Sequence, residues 1–204
     1  MGRLREVYPG WPIPADWRVE GFCLEGPKIF RRRAWYYLLC AEGGTAGPAT
    51  SHMVVAARAR HPMGPWENSP YNPVIRTESR EERWWSVGHG TIFDSPAGGW
   101  RMMVHGYERG FHTLGRQTLL VPVRWTRDGW PVLPRGYRPE QAWPRSGGRS
   151  VRHGMPLSDP LCGPEMGLQW RWWLGPESRR AAFARGGLRV RGKGASPKDC
   201  SPLV

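Results

Sequence analysis

Glu25 lies in the run "GFCLEGPKIFRRRAWYYLLCAEGG", on a Glu-Gly-Pro corner just before an aromatic stretch. A carboxyl group there can do acid chemistry. To protonate a leaving oxygen it must keep its proton well above the ordinary glutamate pKa of ~4.3. Apolar Phe22 and Leu24 nearby would favour the neutral form by withholding water. Gly26-Pro27 fixes the turn that aims the side chain. The bland alternative is a surface carboxylate paired with Arg31 or Arg33. Acid chemistry of this kind also needs a partner, and Glu20 and Glu42 carry no comparable signal.

Other chemistries find less support. Cys23, Cys40, Cys162 and Cys200 form no C-x-x-C pair, which points to buried or reduced thiols rather than a disulfide framework. The six histidines show neither H-E-x-x-H nor H-x₃₋₅-H spacing, so no zinc motif is legible. A net charge of +13 invites a nucleic-acid reading. However, only Lys28, Lys193 and Lys198 are lysines among the 30 basic residues, and the arginines scatter rather than cluster. A phosphate-tracking groove would gather them on one face, so no nucleic-acid partner is expected. No apolar stretch approaches the ~20 residues of a membrane span. The first residues lack the apolar core of a signal peptide, which leaves localisation open between cytoplasm and export.

The elements that must position Glu25 read as strands. With 27 Gly, 21 Pro and 13 Trp in 204 residues, the chain is turn-rich and β-rich. Period-two patterning predicts strands over Lys28–Phe30 and Ala34–Ala41 around an arginine-rich turn, and another across "SHMVVAARAR". A hairpin is predicted from His89–Phe93 to Trp100–Gly106, and a second one turns on Asp128-Gly129. Repeated short antiparallel strands suit a propeller, a sandwich or a barrel. From Pro134 to Pro160 the sequence is Pro, Gly and Arg with little apolar pattern and reads as a linker. Beyond it, "GLQWRWWL" and "GLRVRG" alternate again and predict a second β-rich unit.

Several stretches in order, "EGPKIF", "YYLLCAEGGTAGPATSHMVVAARAR", "GPWENSPYNPVI", "SVGHGTIF" and "HTLGRQTLLVPVRWTRDGWPV", resemble glycoside hydrolase family 43 between about Glu20 and Leu133. The resemblance implies an all-β fold: part of a five-bladed β-propeller over residues 1–133, a linker over 134–160, and over 161–204 the start of a concanavalin-like β-sandwich. It implies an inverting hydrolase acting on β-xylosyl or α-L-arabinofuranosyl linkages of plant oligosaccharides, with a catalytically silent carbohydrate-binding fragment as the alternative. Glu25 takes the position of the general acid, and Arg116 in "LGRQT" that of an arginine reaching the sugar, with a blade-bridging arginine as the structural alternative. His89 resembles a histidine beside the propeller axis, where many members hold a calcium ion partly through waters; an ordinary core histidine is the alternative. His52, His112 and Trp85 are weaker candidates for the sugar pocket. The resemblance implies no cofactor for the chemistry itself and leaves the oligomeric state open. The family's base-bearing and acid-tuning aspartate segments have no counterpart before Glu20, and Asp16 stands in the wrong context. The chain is therefore expected to be the middle and rear of the propeller plus a stub.

Overall fold

The structure is a computed structural model describing residues 3–21, 23–96, 98–141, 159–162, 165–167, 170–173, 175–184, 187–196 and 198–201. The chain divides into two units, Met1–Gly147 and Gly148–Val204.

The first unit is built from two antiparallel meanders. In sheet 1, β1 (Leu24–Arg32) pairs with β2 (Trp35–Glu42), β2 with β3 (Met53–Ala59), and β3 with the short β4 (Glu67–Asn68) and β5 (Ile75–Arg76). In sheet 2, β6 (Trp84–Asp94), β7 (Trp100–Glu108), β8 (Arg116–Trp125) and β9 (Pro131–Val132) pair in chain order. The expected hairpins are present: β1 and β2 close with Arg32 opposite Trp35, and β8 and β9 turn around Asp128-Gly129, where Gly129 takes φ 88°. The strands run longer than their apolar cores predict, because the ladder continues through Arg31, Arg32 and Trp84 once partners are in place.

Alternation explains what each face meets. Leu39, Val54 and Ala56 of sheet 1 pack with Val87, Met102, Val104, Val121 and Val123 of sheet 2 into one buried core. The opposite face of sheet 1, with Leu38, Cys40, Met53, Val55 and Ala57, is covered by Tyr8, Trp11, Ile13, Trp17 and Val19. β3 therefore has both faces buried, which is why "MVVAARA" reads as a nearly continuous apolar run. Aromatic rings seal one end of the core: Tyr37 stacks on Phe30 at 5.4 Å, and Trp125 meets both Tyr37 and Trp100 edge-on. Trp100, Trp125 and Trp130, from sheet 2 and its last turn, pack against Phe30 and Tyr37 of sheet 1. Trp35 instead lies under the Arg58 and Arg60 guanidinium groups.

In the second unit, β10 (Ala181–Ala184) pairs with β11 (Gly187–Val190). "GLRVRG" thus supplies a strand, whereas among the described residues of "GLQWRWWL" only an isolated bridge at Trp172 forms. Most of the expected linker lies outside the described residues. At its start, Tyr137 packs against the core of the first unit. Cys23, Cys40 and Cys162 are free thiols, with Cys40 buried. Among the described residues no helix is long and apolar enough to cross a membrane.

Candidate active site

Glu25 sits near the start of β1, where the ladder shifts register between Glu25 and Lys28 and Gly26 takes φ 58°. A bulge of this kind turns a side chain out of the regular alternation. The Glu25 carboxylate faces His89, with Oε1 3.7 Å from Nδ1. His89 also owes its direction to a broken ladder: β6 shifts register on both sides of Gly88, and His89 has φ 57°. A left-handed backbone is uncommon for a residue other than Gly, Asn or Asp, and it marks a position held by its surroundings. No Cβ fits at Gly26, because it would strike the His89 ring. The Glu-Gly-Pro corner thus serves the histidine as well as the acid.

The environment of Glu25 differs from the expected apolar one. Its side chain is 53% exposed, since β1 is an edge strand and Leu24 points to the opposite face against the N-terminal segment. Phe22 lies outside the described residues. Nor is Glu25 matched with the arginines of the turn; Arg31 reaches over the Tyr36 ring instead.

Behind His89 stand His52, just before β3, and His105 on β7. The His52 and His105 rings stack at 5.2 Å, and His89 lies 5.6 Å from His105 and 6.2 Å from His52. His52 is fully buried, and its Nδ1 bonds the Gly43 carbonyl at 2.5 Å. A carbonyl only accepts, so Nδ1 carries the proton and Nε2 presents a lone pair. Burial pushes the His52 pKa below its ordinary value, opposed by that hydrogen bond and by the Glu25 charge. His105 is pushed further, to about 4, first by burial and then by His52, Arg116 and His89. The Arg116 charge is therefore felt at both rings, which places the start of β8 on the same site.

Trp85 and His112 form a neighbouring aromatic group. His112 packs 5.0 Å from Trp85 and 5.3 Å from Tyr107, and Tyr107 pairs across strands with both Trp85 and Arg116. Of the sequence-predicted residues, Glu25, His89, His52 and Arg116 converge, with Trp85 and His112 flanking Arg116. His105 is a residue that sequence reading missed. Its signal is faint: "HG" occurs at 89–90 and again at 105–106, on the paired strands β6 and β7. The other two acids are occupied elsewhere. Glu20 Oε2 accepts from the amides of Ala46 and Gly47 at 2.7 and 2.8 Å. Glu42 is fully buried, with Oε1 accepting from the Trp11 amide at 2.6 Å.

The chain is 32% identical over 133 residues to a xylan 1,3-beta-xylosidase from a Vibrio species, covering 57% of this chain and 24% of that protein. It is 29% identical over 190 residues to a non-reducing end alpha-L-arabinofuranosidase from Bacteroides ovatus, covering 85% and 34%. Among solved structures, a xylan beta-1,4-xylosidase from Bacillus halodurans superposes with a TM-score of 0.76 at 26% identity, covering 96% of this chain and 37% of that one. The chain thus spans about a third or less of the length of these relatives. The sequence model for glycosyl hydrolases family 43 matches residues 2–131, so the matched region begins well before Glu20 and takes in the segment that packs on sheet 1. That match covers more than half of the chain, and the protein belongs to glycosyl hydrolase family 43.

Proposed function

We propose that the polypeptide carrying this chain is an inverting glycosidase that releases terminal β-xylosyl or α-L-arabinofuranosyl groups, with Glu25 as its general acid. The observation that carries this reading is the convergence of Glu25 on His89, within reach of the Arg116 charge, inside the matched family region. Half-exposed on an edge strand, Glu25 is placed to meet a leaving-group oxygen. As the glycosidic C–O bond breaks, its proton passes to that oxygen, while a second carboxylate removes a proton from the water attacking the opposite face. Inversion requires the two groups ~6.5–9.5 Å apart. Glu20 and Glu42 are engaged elsewhere, so neither serves as that base. Arg116 offers a planar fork of donors to the sugar hydroxyls or to the carboxylate. Trp85 and His112 extend the pocket wall beside it, and His52 backs it from below.

The fold that goes with this reading is part of a five-bladed propeller over residues 1–133, a linker over 134–160 and the start of a concanavalin-like sandwich over 161–204. Sheets 1 and 2 are then consecutive blades. Exposed Met103 and Leu120, cross-strand partners on the face of sheet 2 away from sheet 1, support it, because a further blade would cover them. The axial calcium ion of the resemblance would draw most of its six to eight oxygens from water, since the residues around His89 offer chiefly imidazole nitrogens.

A second reading, a silent carbohydrate-binding fragment, is favoured by one observation: Glu20 and Glu42, the acids flanking Glu25 in the matched stretch, are both bound elsewhere. The two readings part in one experiment. Early hydrolysis of an aryl β-xyloside, followed by proton NMR of the released sugar, is expected to show the α anomer first. Binding of xylo-oligosaccharides without any turnover would favour the silent module, and first release of the β anomer would contradict inversion.

A further inference from the structure

Loop 43–51, "GGTAGPATS", joins β2 to β3 beside the candidate site and contains no strand. It meets both halves of that site. The Gly43 amide donates to the Cys23 carbonyl at 3.1 Å, two residues before Glu25, and the Gly43 carbonyl accepts from His52 Nδ1. Further along, the Ala49 carbonyl accepts from the Ser86 amide at 2.7 Å. Ser86 is buried with φ 51° and stands in the register shift of β6 between Trp85 and Gly88, just before His89. A residue other than glycine keeps such a backbone only where its surroundings hold it. Here the loop supplies the hold on the backbone that aims His89 at Glu25.

What fixes the loop is Glu20, which precedes β1. Its Oε2 accepts from the successive amides of Ala46 and Gly47 at 2.7 and 2.8 Å, and its own amide donates to Oγ of the buried Ser51 at 2.7 Å. Successive amides turned to one point form an anion-holding concavity, and hydrogen bonds to a charged acceptor are stronger than neutral ones. The fit is close. A Cβ at Gly44 would strike Glu20 Oε2, and one at Gly47 would strike Glu20 Cβ. The loop glycines therefore leave a berth shaped to this one side chain. The Arg18 carbonyl adds a tie nearby, accepting from the Thr50 hydroxyl at 3.3 Å.

We propose that Glu20 is a positioning residue: it clamps loop 43–51, and through the Ala49–Ser86 hydrogen bond the clamped loop sets the pose of His89 against Glu25. Glu20 touches neither sugar nor reacting atoms and acts only through the loop. When the loop loosens, Ser86 is free to leave its left-handed conformation, the bulge relaxes, and the His89 ring moves from Glu25. Proton donation suffers first, since a misplacement of about an ångström costs on the order of 10²-fold in rate. That kinetic consequence rests on the glycosidase reading; the structural one does not.

The test uses the longest polypeptide that carries this chain, with ring-labelled histidine, and three variants. Glu20→Ala removes the acceptor, Glu20→Gln keeps an oxygen for the two amides, and Gly47→Ala keeps Glu20 but fills its berth. Glu20→Ala and Gly47→Ala are expected to shift the His89 ring signals in NMR. They should also lower kcat/KM for xylobiose by roughly 10–100-fold, with 2,4-dinitrophenyl β-xyloside much less affected. Glu20→Gln should return both readouts to near the parent's. A merely structural role would reduce the active fraction, hence both substrates alike, and would leave the His89 signals of the folded protein in place. If the parent hydrolyses neither substrate, the glycosidase reading falls and the NMR readout alone decides. Should Glu20→Ala fail to fold, Glu20→Asp, one methylene shorter, takes its place. Unmoved His89 signals in the folded variants, or equal losses on the two substrates, would overturn the proposal.

Discussion

Glu25 and Glu42 stand at neighbouring positions of one strand pair, Glu25 opposite Ala41 and Leu24 opposite Glu42, yet they meet opposite environments. Alternation sends Glu42 into the face covered by Tyr8 and Trp11, while the bulge at Gly26 turns Glu25 toward His89. Burial raises the Glu42 pKa, only partly offset by the Trp11 amide, and burial, helped by the nearby Glu42 charge, pushes the Cys40 thiol up to about 11. A carboxyl group with a raised folded-state pKa is easier to ionise in the unfolded chain. Stability is therefore lost as pH rises from the unfolded value, ~4.3, through the raised one. Glu42→Gln removes that loss. Urea midpoints should show the variant gaining on the original chain between about pH 4 and pH 7. A difference that stays flat with pH would mean that the carboxylate is compensated. Glu25, His89 and Arg116 were legible because each sits in a distinctive local motif. Glu42 and His105 were not, since period two says which residues share a face but not which face is covered.

At the scale of elements, the hairpins were written plainly by Asp-Gly corners and by apolar runs between glycines. The two bulges that aim the site were not, because a register shift depends on the partner strand and leaves no period of its own. The N-terminal segment was also missed. Tyr8, Trp11, Ile13, Trp17 and Val19 follow no strand or helix repeat, and only the sheet beneath them gives the spacing meaning. Conversely, "GLQWRWWL" has strand-like alternation without a described strand. Gly88 tests the bulge. It needs no special backbone angle to serve; it gives the His52 ring room between the sheets. Gly88→Ala should therefore cost about 1–3 kcal/mol through overpacking, measured by denaturant unfolding. It should also disturb the His52 and His105 ring signals in NMR. A variant as stable as the parent, with unchanged histidine resonances, would show that the bulge tolerates a side chain.

Across the whole molecule, the basic excess proves to have a packing use. Arg58 lies between the Trp35 and Trp130 rings at 4.3 and 4.1 Å, Arg76 covers Trp17 at 3.5 Å, and Arg32 covers Trp125 at 4.0 Å. Flat guanidinium groups pack over tryptophan faces, and Arg58 and Arg76 are themselves largely withdrawn from water in doing so. These contacts give part of the arginine excess a structural role. Family membership rests on the match over residues 2–131, and the site rests on how two sheets bring Glu25 and the histidines together. The account turns on Glu25 as a proton donor, and the most direct measurement compares leaving groups in the longest polypeptide that carries this chain. Glu25→Gln should lower kcat/KM for xylobiose by about 10²–10⁴-fold. It should lower the value for 2,4-dinitrophenyl β-xyloside far less, because that leaving group departs without protonation. Equal losses on the two substrates, or no loss on xylobiose, would contradict the account.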